Sequence, residues 1–257
     1  MAMPLEIVTI PCLADNYAFL LHSSETGETA LIDAPEAEPV LTELKARGWQ
    51  LTEIWLTHHH WDHIDGAGEI KETTGAKLIG AAADAHRLPP LNHALSEGEN
   101  YSFAGHNVQV FDVSGHTVGH IALYVPDAQA VFTADSLMAL GCGRVFEGSF
   151  EQMWASLSKL AALPGDTLVC SGHEYTTTNA AFAKTIEPEN PHLLSRIKDI
   201  ERARAANQPT VPSLLSLELE TNPFLRANLP EVKKLVNMTN ATDAAVFAEI
   251  RKRKDAF

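Results

Sequence analysis

Between Thr57 and His63 the chain reads Thr-His-His-His-Trp-Asp-His, directly after the aliphatic run Ile54-Trp55-Leu56. His58, His60, Asp62 and His63 are expensive to bury without a partner for their polar atoms. A metal ion is the partner that suits them, because imidazole nitrogens and carboxylate oxygens bind zinc, iron or manganese. The preceding run reads as a buried strand, so the fold must present this cluster at the end of a sheet.

Three further candidates occupy the same kind of position. A strand expected at 108–113 runs into Ser114-Gly115-His116, one at 130–133 into Ala134-Asp135, and one at 167–170 into Ser171-Gly172-His173. Four strands thus deliver candidate ligands just past their C-terminal ends, where open α/β sheets build sites. Parallel order among these strands is assumed in that reading.

Seven ligands exceed one tetrahedral ion and suit two ions with a bridging group. Residues two apart in an extended strand point the same way, so His58 and His60 are expected to share one ion, with His59 turned away. His116 completes that ion's nitrogens. Asp62, His63 and His173 serve the second ion, and Asp135 bridges the two. Water between cations about 3.5–4 Å apart ionises near neutral pH. His120 and Asp33 are expected to orient ligands rather than to bind metal.

Further strands are expected at 5–10, 17–21, 29–32, 77–80 and 121–125, and helices at 37–47 and 151–162. After about residue 174 helical spacing takes over. Asn190-Pro191, Pro230 and Thr242-Asp243 each read as a helix start. The expected domains are 1–174, carrying the ligands, and a helical appendage over 175–257.

Composition narrows the partners. With 257 residues and 45% hydrophobic content the chain can build a real core. A net charge of -14 argues against nucleic acid, which needs a basic face. No apolar run reaches the roughly 18 residues of a membrane span, and no signal-peptide core follows Met1. Cys12, Cys142 and Cys170 form neither a CxxC pair nor a disulfide framework, so a reducing cytoplasmic setting is expected, with the thiols as small buried hydrophobes. Nothing demands an interface, and a monomer is expected. Against the acidic background, Arg251-Lys252-Arg253-Lys254 gathers four cations and reads as a patch for an anionic small molecule.

With these residues in view, the chain resembles the metallo-β-lactamase superfamily, and within it the glyoxalase II (hydroxyacylglutathione hydrolase) family. The Thr57–His63 run carries the superfamily resemblance. Leu13-Ala14-Asp15-Asn16-Tyr17 and Thr221-Asn222-Pro223-Phe224-Leu225-Arg226 match as well, and Gly141-Cys142-Gly143-Arg144, Gly172-His173-Glu174-Tyr175-Thr176 and the basic C-terminus narrow it.

The resemblance implies an α/β fold, a four-layer αββα sandwich followed by a helical domain. It implies metal one on His58, His60 and His116, metal two on Asp62, His63 and His173, and Asp135 with a hydroxide bridging them. Glutathione contacts map onto Arg144, Tyr175, Arg251 and Lys254. The implied activity is hydrolysis of S-D-lactoylglutathione to glutathione and D-lactate, the second step of methylglyoxal detoxification, with zinc ahead of iron or manganese. A persulfide dioxygenase with a single iron, or another hydrolase of the fold, is the alternative. Two positions depart from the family pattern: Ser114 replaces the usual proline, and Phe146 stands where some members carry tyrosine.

Overall fold

The computed structural model describes residues 5–257. Met1–Pro4, the opening of the segment read for a signal peptide, lies outside the described residues. The chain divides into two compact units, one of residues up to Asp112 plus Val118–Ala134, the other of Val113–Thr117 plus Asp135–Phe257.

The first unit contains two sheets. Strands β1 (Leu5–Cys12), β2 (Asn16–Ser23), β3 (Glu28–Ile32), β4 (Gln50–Leu56), β5 (Lys77–Ala81) and β6 (His93–Leu95) form one in sequential order. β1, β2 and β3 pair antiparallel, and β3 through β6 pair parallel. The parallel crossovers run through helices, α1 (Ala37–Arg47) between β3 and β4, then α2 (Trp61–Ile64) and α3 (Ala67–Thr74) between β4 and β5. α1 ends as its sequence predicts. Gly48 takes the left-handed conformation at φ 67°, and the N–H of Trp49 returns to the Leu44 carbonyl at 3.0 Å.

β7 (Asn100–Phe103), β8 (His106–Asp112), β9 (Ile121–Val125) and β10 (Ala130–Ala134) form the second sheet of this unit, antiparallel throughout. Neighbouring strands are therefore parallel around β4 and antiparallel here. The turn joining β9 to β10 is too short for a crossover, so the chain must reverse. β9 is antiparallel to both β8 and β10, so those two still run the same way and end at the same edge.

The strand Ile54-Trp55-Leu56 is fully buried because both of its faces are covered. Ile54 and Leu56 join Val40, Leu44 and Ile70 of the helices in one core cluster. Trp55 points the other way and meets Phe103 edge-on at 5.4 Å, while Phe19 of β2 packs on Phe132 of β10 at 5.9 Å.

The second unit holds the small hairpin β11 (Leu137–Met138) and β12 (Gly141–Cys142), then α4 (Phe150–Ala161) with a Ser149/Gln152 capping box. It continues with β13 (Leu168–Ser171), α5 (Thr176–Ile186), α6 (Pro191–Ala205), β14 (Ser213–Leu214), α7 (Leu215–Thr221), α8 (Pro230–Leu235) and α9 (Asp243–Asp255). β13 pairs antiparallel with β14. The three expected helix starts are present. The Asn190 side chain accepts from the N–H groups of His192 and Leu193, Pro230 opens α8, and Thr242 Oγ1 accepts from the Ala245 N–H. All three cysteines are free and buried, and burial pushes the Cys12 and Cys142 thiols up to about 11.

Candidate metal centre

In the first unit, β4 ends at Leu56 and the ligand run follows it as a loop and then α2. His58 and His60 therefore do not share a side through strand alternation, as expected from sequence. They converge because the loop turns, with ring centroids 4.8 Å apart. His63 comes back from the first turn of α2 to lie 4.4 Å from His58, ring to ring. His58 and His63 are wholly buried.

Asp33 fixes this arrangement. It follows β3 in a left-handed conformation, φ 55°, and is buried. Its Oδ1 accepts the Thr57 N–H at 2.9 Å, and Oδ2 lies 2.9 Å from Thr57 Oγ1 and 2.8 Å from His63 Nδ1. A carboxylate on Nδ1 favours the proton there and would turn Nε2 toward a metal. Asp33, His58 and His63 each place a potential ligand atom within 4.8 Å of the others. Asp33 is nevertheless committed to Thr57 and His63, which makes it a support for the ligands.

Other supports surround the run. Asn16, from the Leu13–Tyr17 motif, donates to the Asp62 carbonyl at 2.9 Å and to its Oδ2 at 3.3 Å. His120 stacks on His58 at 4.5 Å with only 11° between the planes. His59 turns away, as expected, and its Nδ1 lies 3.0 Å from Oδ2 of the fully buried Asp84. Arg87 donates to Asp84 Oδ1 at 2.5 Å and to the Val118 carbonyl at 2.7 Å.

The second unit contributes His116, Asp135 and His173, all buried. His116 Nε2 is 3.4 Å from Asp135 Oδ2, and His173 Nε2 is 3.3 Å from Asp135 Oδ1. Each carboxylate oxygen thus faces a different histidine. His116 Nδ1 is 2.7 Å from the Arg144 carbonyl, so this ring too has its second nitrogen engaged. Gly143 is required beside it, since a Cβ there would stand 2.0 Å from the Asp135 carbonyl oxygen and 2.9 Å from His116 Nδ1. Ser114, where proline is usual, has its carbonyl tied by Ser156 Oγ at 2.7 Å.

The donor set of imidazoles and carboxylates fits divalent cations, and His63 and His116 each have Nδ1 engaged by an oxygen.

The expected substrate contacts lie in the same unit. Tyr175 stacks on His173 at 4.6 Å and 7° and is partly exposed. Arg144 is exposed, and its Nε donates to Asp255 Oδ1 at 3.2 Å. Arg251 is buried, donating to the Cys142 carbonyl at 2.9 Å and to Asp255 Oδ1 at 3.0 Å. Lys254 is half-buried between the rings of Phe182 and Phe257, 5.3 and 5.2 Å from their centroids. The four consecutive cations do not form one patch. A helix turns about 100° per residue, so Lys252 lies over Phe150 and Arg253 pairs with Glu249, away from Arg251 and Lys254. Phe146 is exposed with its ring 5.3 Å from that of His116.

Residues 15–173 match the family model of the metallo-beta-lactamase superfamily, and residues 174–257 match the model described as the hydroxyacylglutathione hydrolase C-terminus. A hydroxyacylglutathione hydrolase of Ruegeria pomeroyi is 63% identical over 99% of this chain and 100% of its own length. One from Roseobacter denitrificans is 64% identical over the same shares. Among solved structures, the BLEG-1 B3 metallo-beta-lactamase superposes with a TM-score of 0.67 at 21% identity, covering 86% of this chain and 99% of that one, a likeness of fold. The α/β metallo-β-lactamase fold with a helical C-terminal portion is the one the motifs imply. Near-complete coverage at this identity, together with two adjoining family models, places the chain in the hydroxyacylglutathione hydrolase family of the metallo-β-lactamase superfamily.

Proposed function

We propose that this protein hydrolyses S-D-lactoylglutathione and other 2-hydroxyacylglutathiones to glutathione and the 2-hydroxy acid, D-lactate in the first case. The observation that carries this reading is Asp135, whose two oxygens each face a separate buried histidine. That arrangement supports a carboxylate that two ions would share. His58, His60 and His116 with Asp135 would hold one, and Asp62, His63 and His173 with Asp135 the other. Two divalent cations there, zinc first and iron or manganese as alternatives, would polarise the thioester carbonyl and make water nucleophilic near neutral pH.

The protein's own groups do the rest. Asp33 and Asn16 hold His63 and Asp62 in orientation. Arg144, Tyr175, Arg251 and Lys254 would receive the glutathione moiety, whose carboxylates suit cationic partners. No side chain needs to protonate the leaving group, because a thiol near pKa 8.5 leaves as thiolate. In domain terms, 1–174 would supply the ligands and 175–257 most of the glutathione contacts. The reaction would be the second step of methylglyoxal detoxification in the cytoplasm.

The match of residues 174–257 to the hydrolase C-terminus favours this reading over a persulfide dioxygenase with one iron. Asp135→Ala tests the bridge. It should lower both bound metal and turnover, and a variant keeping two metals and full activity would remove Asp135 from the site.

A further inference from the structure

The Thr221–Arg226 motif belongs to the family pattern yet supplies neither a proposed metal ligand nor a glutathione contact. Its position gives it a different task. The chain from Leu137 to Cys142 is buried, and its β11–β12 ladder is two residue pairs long. Buried carbonyls need donors. Side chains of the helical region supply them one after another. Asn222 Nδ2 donates to the Met138 carbonyl at 3.1 Å and the Gly141 carbonyl at 3.0 Å. Asn179 Nδ2 donates to the Ala139 carbonyl at 3.1 Å, and Arg251 Nη1 to the Cys142 carbonyl at 2.9 Å. Glu218 Oε2 accepts the Leu140 N–H at 2.8 Å and also the Asn222 amide at 3.1 Å.

Five consecutive residues are therefore gripped by four buried side chains. Leu140 is held in a left-handed conformation, φ 55°, that a leucine does not adopt unaided. Glu218 is anchored in turn by Arg196 and by Ser213 Oγ. Asn179 also fills the space in front of Gly141, where a Cβ would stand 2.5 Å from its Nδ2.

The hairpin so gripped joins Asp135 on one side to Gly143 and Arg144 on the other. The Gly143 N–H returns to the Ser136 carbonyl at 3.2 Å, and the Arg144 carbonyl meets His116 Nδ1. We infer that Asn222, with Glu218 and Asn179, is a positioning residue that casts the 137–142 hairpin so that Asp135, His116 and Arg144 take their places together. The helical region then shapes the metal centre as well as the substrate's surroundings. This inference rests on the proposed role of Asp135 as a metal ligand.

The test uses cobalt(II) titrated into the metal-free full-length protein, read by competition with a chelator and by the visible absorption of the bound ion. Asn222→Asp keeps the size of the side chain but turns its donor into an acceptor facing two carbonyls. It is expected to weaken cobalt binding about tenfold or more and to shift the absorption bands, with far-UV circular dichroism unchanged. In the metal-free variant, hydrogen exchange should quicken over 137–142 and stay as in the wild type over β1 to β5. Should Asn222→Asp fail to fold, Asn179→Ala carries the test, removing one grip and preserving the Glu218 network. Weakened binding in Asp135→Ala with wild-type affinity, spectrum and exchange in the Asn222 and Asn179 variants would overturn the positioning role alone. Wild-type binding in Asp135→Ala would overturn the ligand assignment and the positioning role with it.

Discussion

Asp33 Oδ2 stands 2.8 Å from Nδ1 of His63, and the same carboxylate takes the backbone N–H and hydroxyl of Thr57. One buried aspartate just past β3 thereby pins both ends of the candidate ligand run that follows β4. Asp33→Asn keeps the shape but can no longer accept at both oxygens. Metal affinity should fall about 10- to 100-fold, with a loss of about 1–3 kcal/mol in stability from the polar groups left short of a partner. Metal titration and thermal melts check this, and unchanged affinity would make Asp33 a turn residue only.

Gly143→Ala is a sharper probe of the other ligand group. Its Cβ would stand 2.0 Å from the Asp135 carbonyl oxygen, which real structures never show. The hairpin must move, carrying Asp135 and Arg144 with it. Turnover should drop by at least about tenfold while the fold persists by circular dichroism. Wild-type kinetics would mean that neither group needs its observed place.

Lys254 gives the account a pH signature. Burial first, and then the charge of Arg251, lower its pKa from 10.5. Asp255 and Cys142 act in the opposite direction and do not cancel this. A lysine with a lowered folded pKa loses its charge at a lower pH than usual, and folding gains stability as pH rises through that window. Binding of an anionic substrate changes the other way. KM should therefore start to rise below the ordinary lysine range. Lys254→Arg stays charged, so its KM should remain flat there. Coincident profiles would remove Lys254 from the substrate site.

Phe146 occupies an exposed place beside His116, where a tyrosine would add a hydroxyl. Phe146→Tyr should lower KM about fivefold, the worth of one hydrogen bond of about 1 kcal/mol, with kcat unchanged. An unaltered KM would show that the hydroxyl finds no partner on the substrate.

Much of this was legible in the sequence, for identifiable reasons. The continuous apolar run of β4 and the period-3.6 patterns of α1 and α4 are set by burial, and burial follows residue chemistry directly. The candidate metal ligands stand out by density between His58 and His63 and by position elsewhere. The antiparallel second sheet was less accessible, because strand direction depends on the connection and not on the strand's own residues. The Asp33–His63 bond joins residues thirty apart, and only the β3–β4 register brings them together. The short α2, α3 and α7 carry too few turns to show a period. The grip of Asn222 and Glu218 on Met138–Gly141 spans about eighty residues of chain, and nothing local in either segment points to the other.

The seven histidine and aspartate residues proposed as metal ligands would serve thioester hydrolysis. Assay of the purified protein with S-D-lactoylglutathione, alongside elemental analysis of the same sample, tests it most directly. The expected result is release of glutathione and D-lactate by protein carrying two divalent metal ions per chain. Protein with its full complement of metal and no thioesterase activity, or with one iron and oxygen consumption on glutathione persulfide, would contradict it.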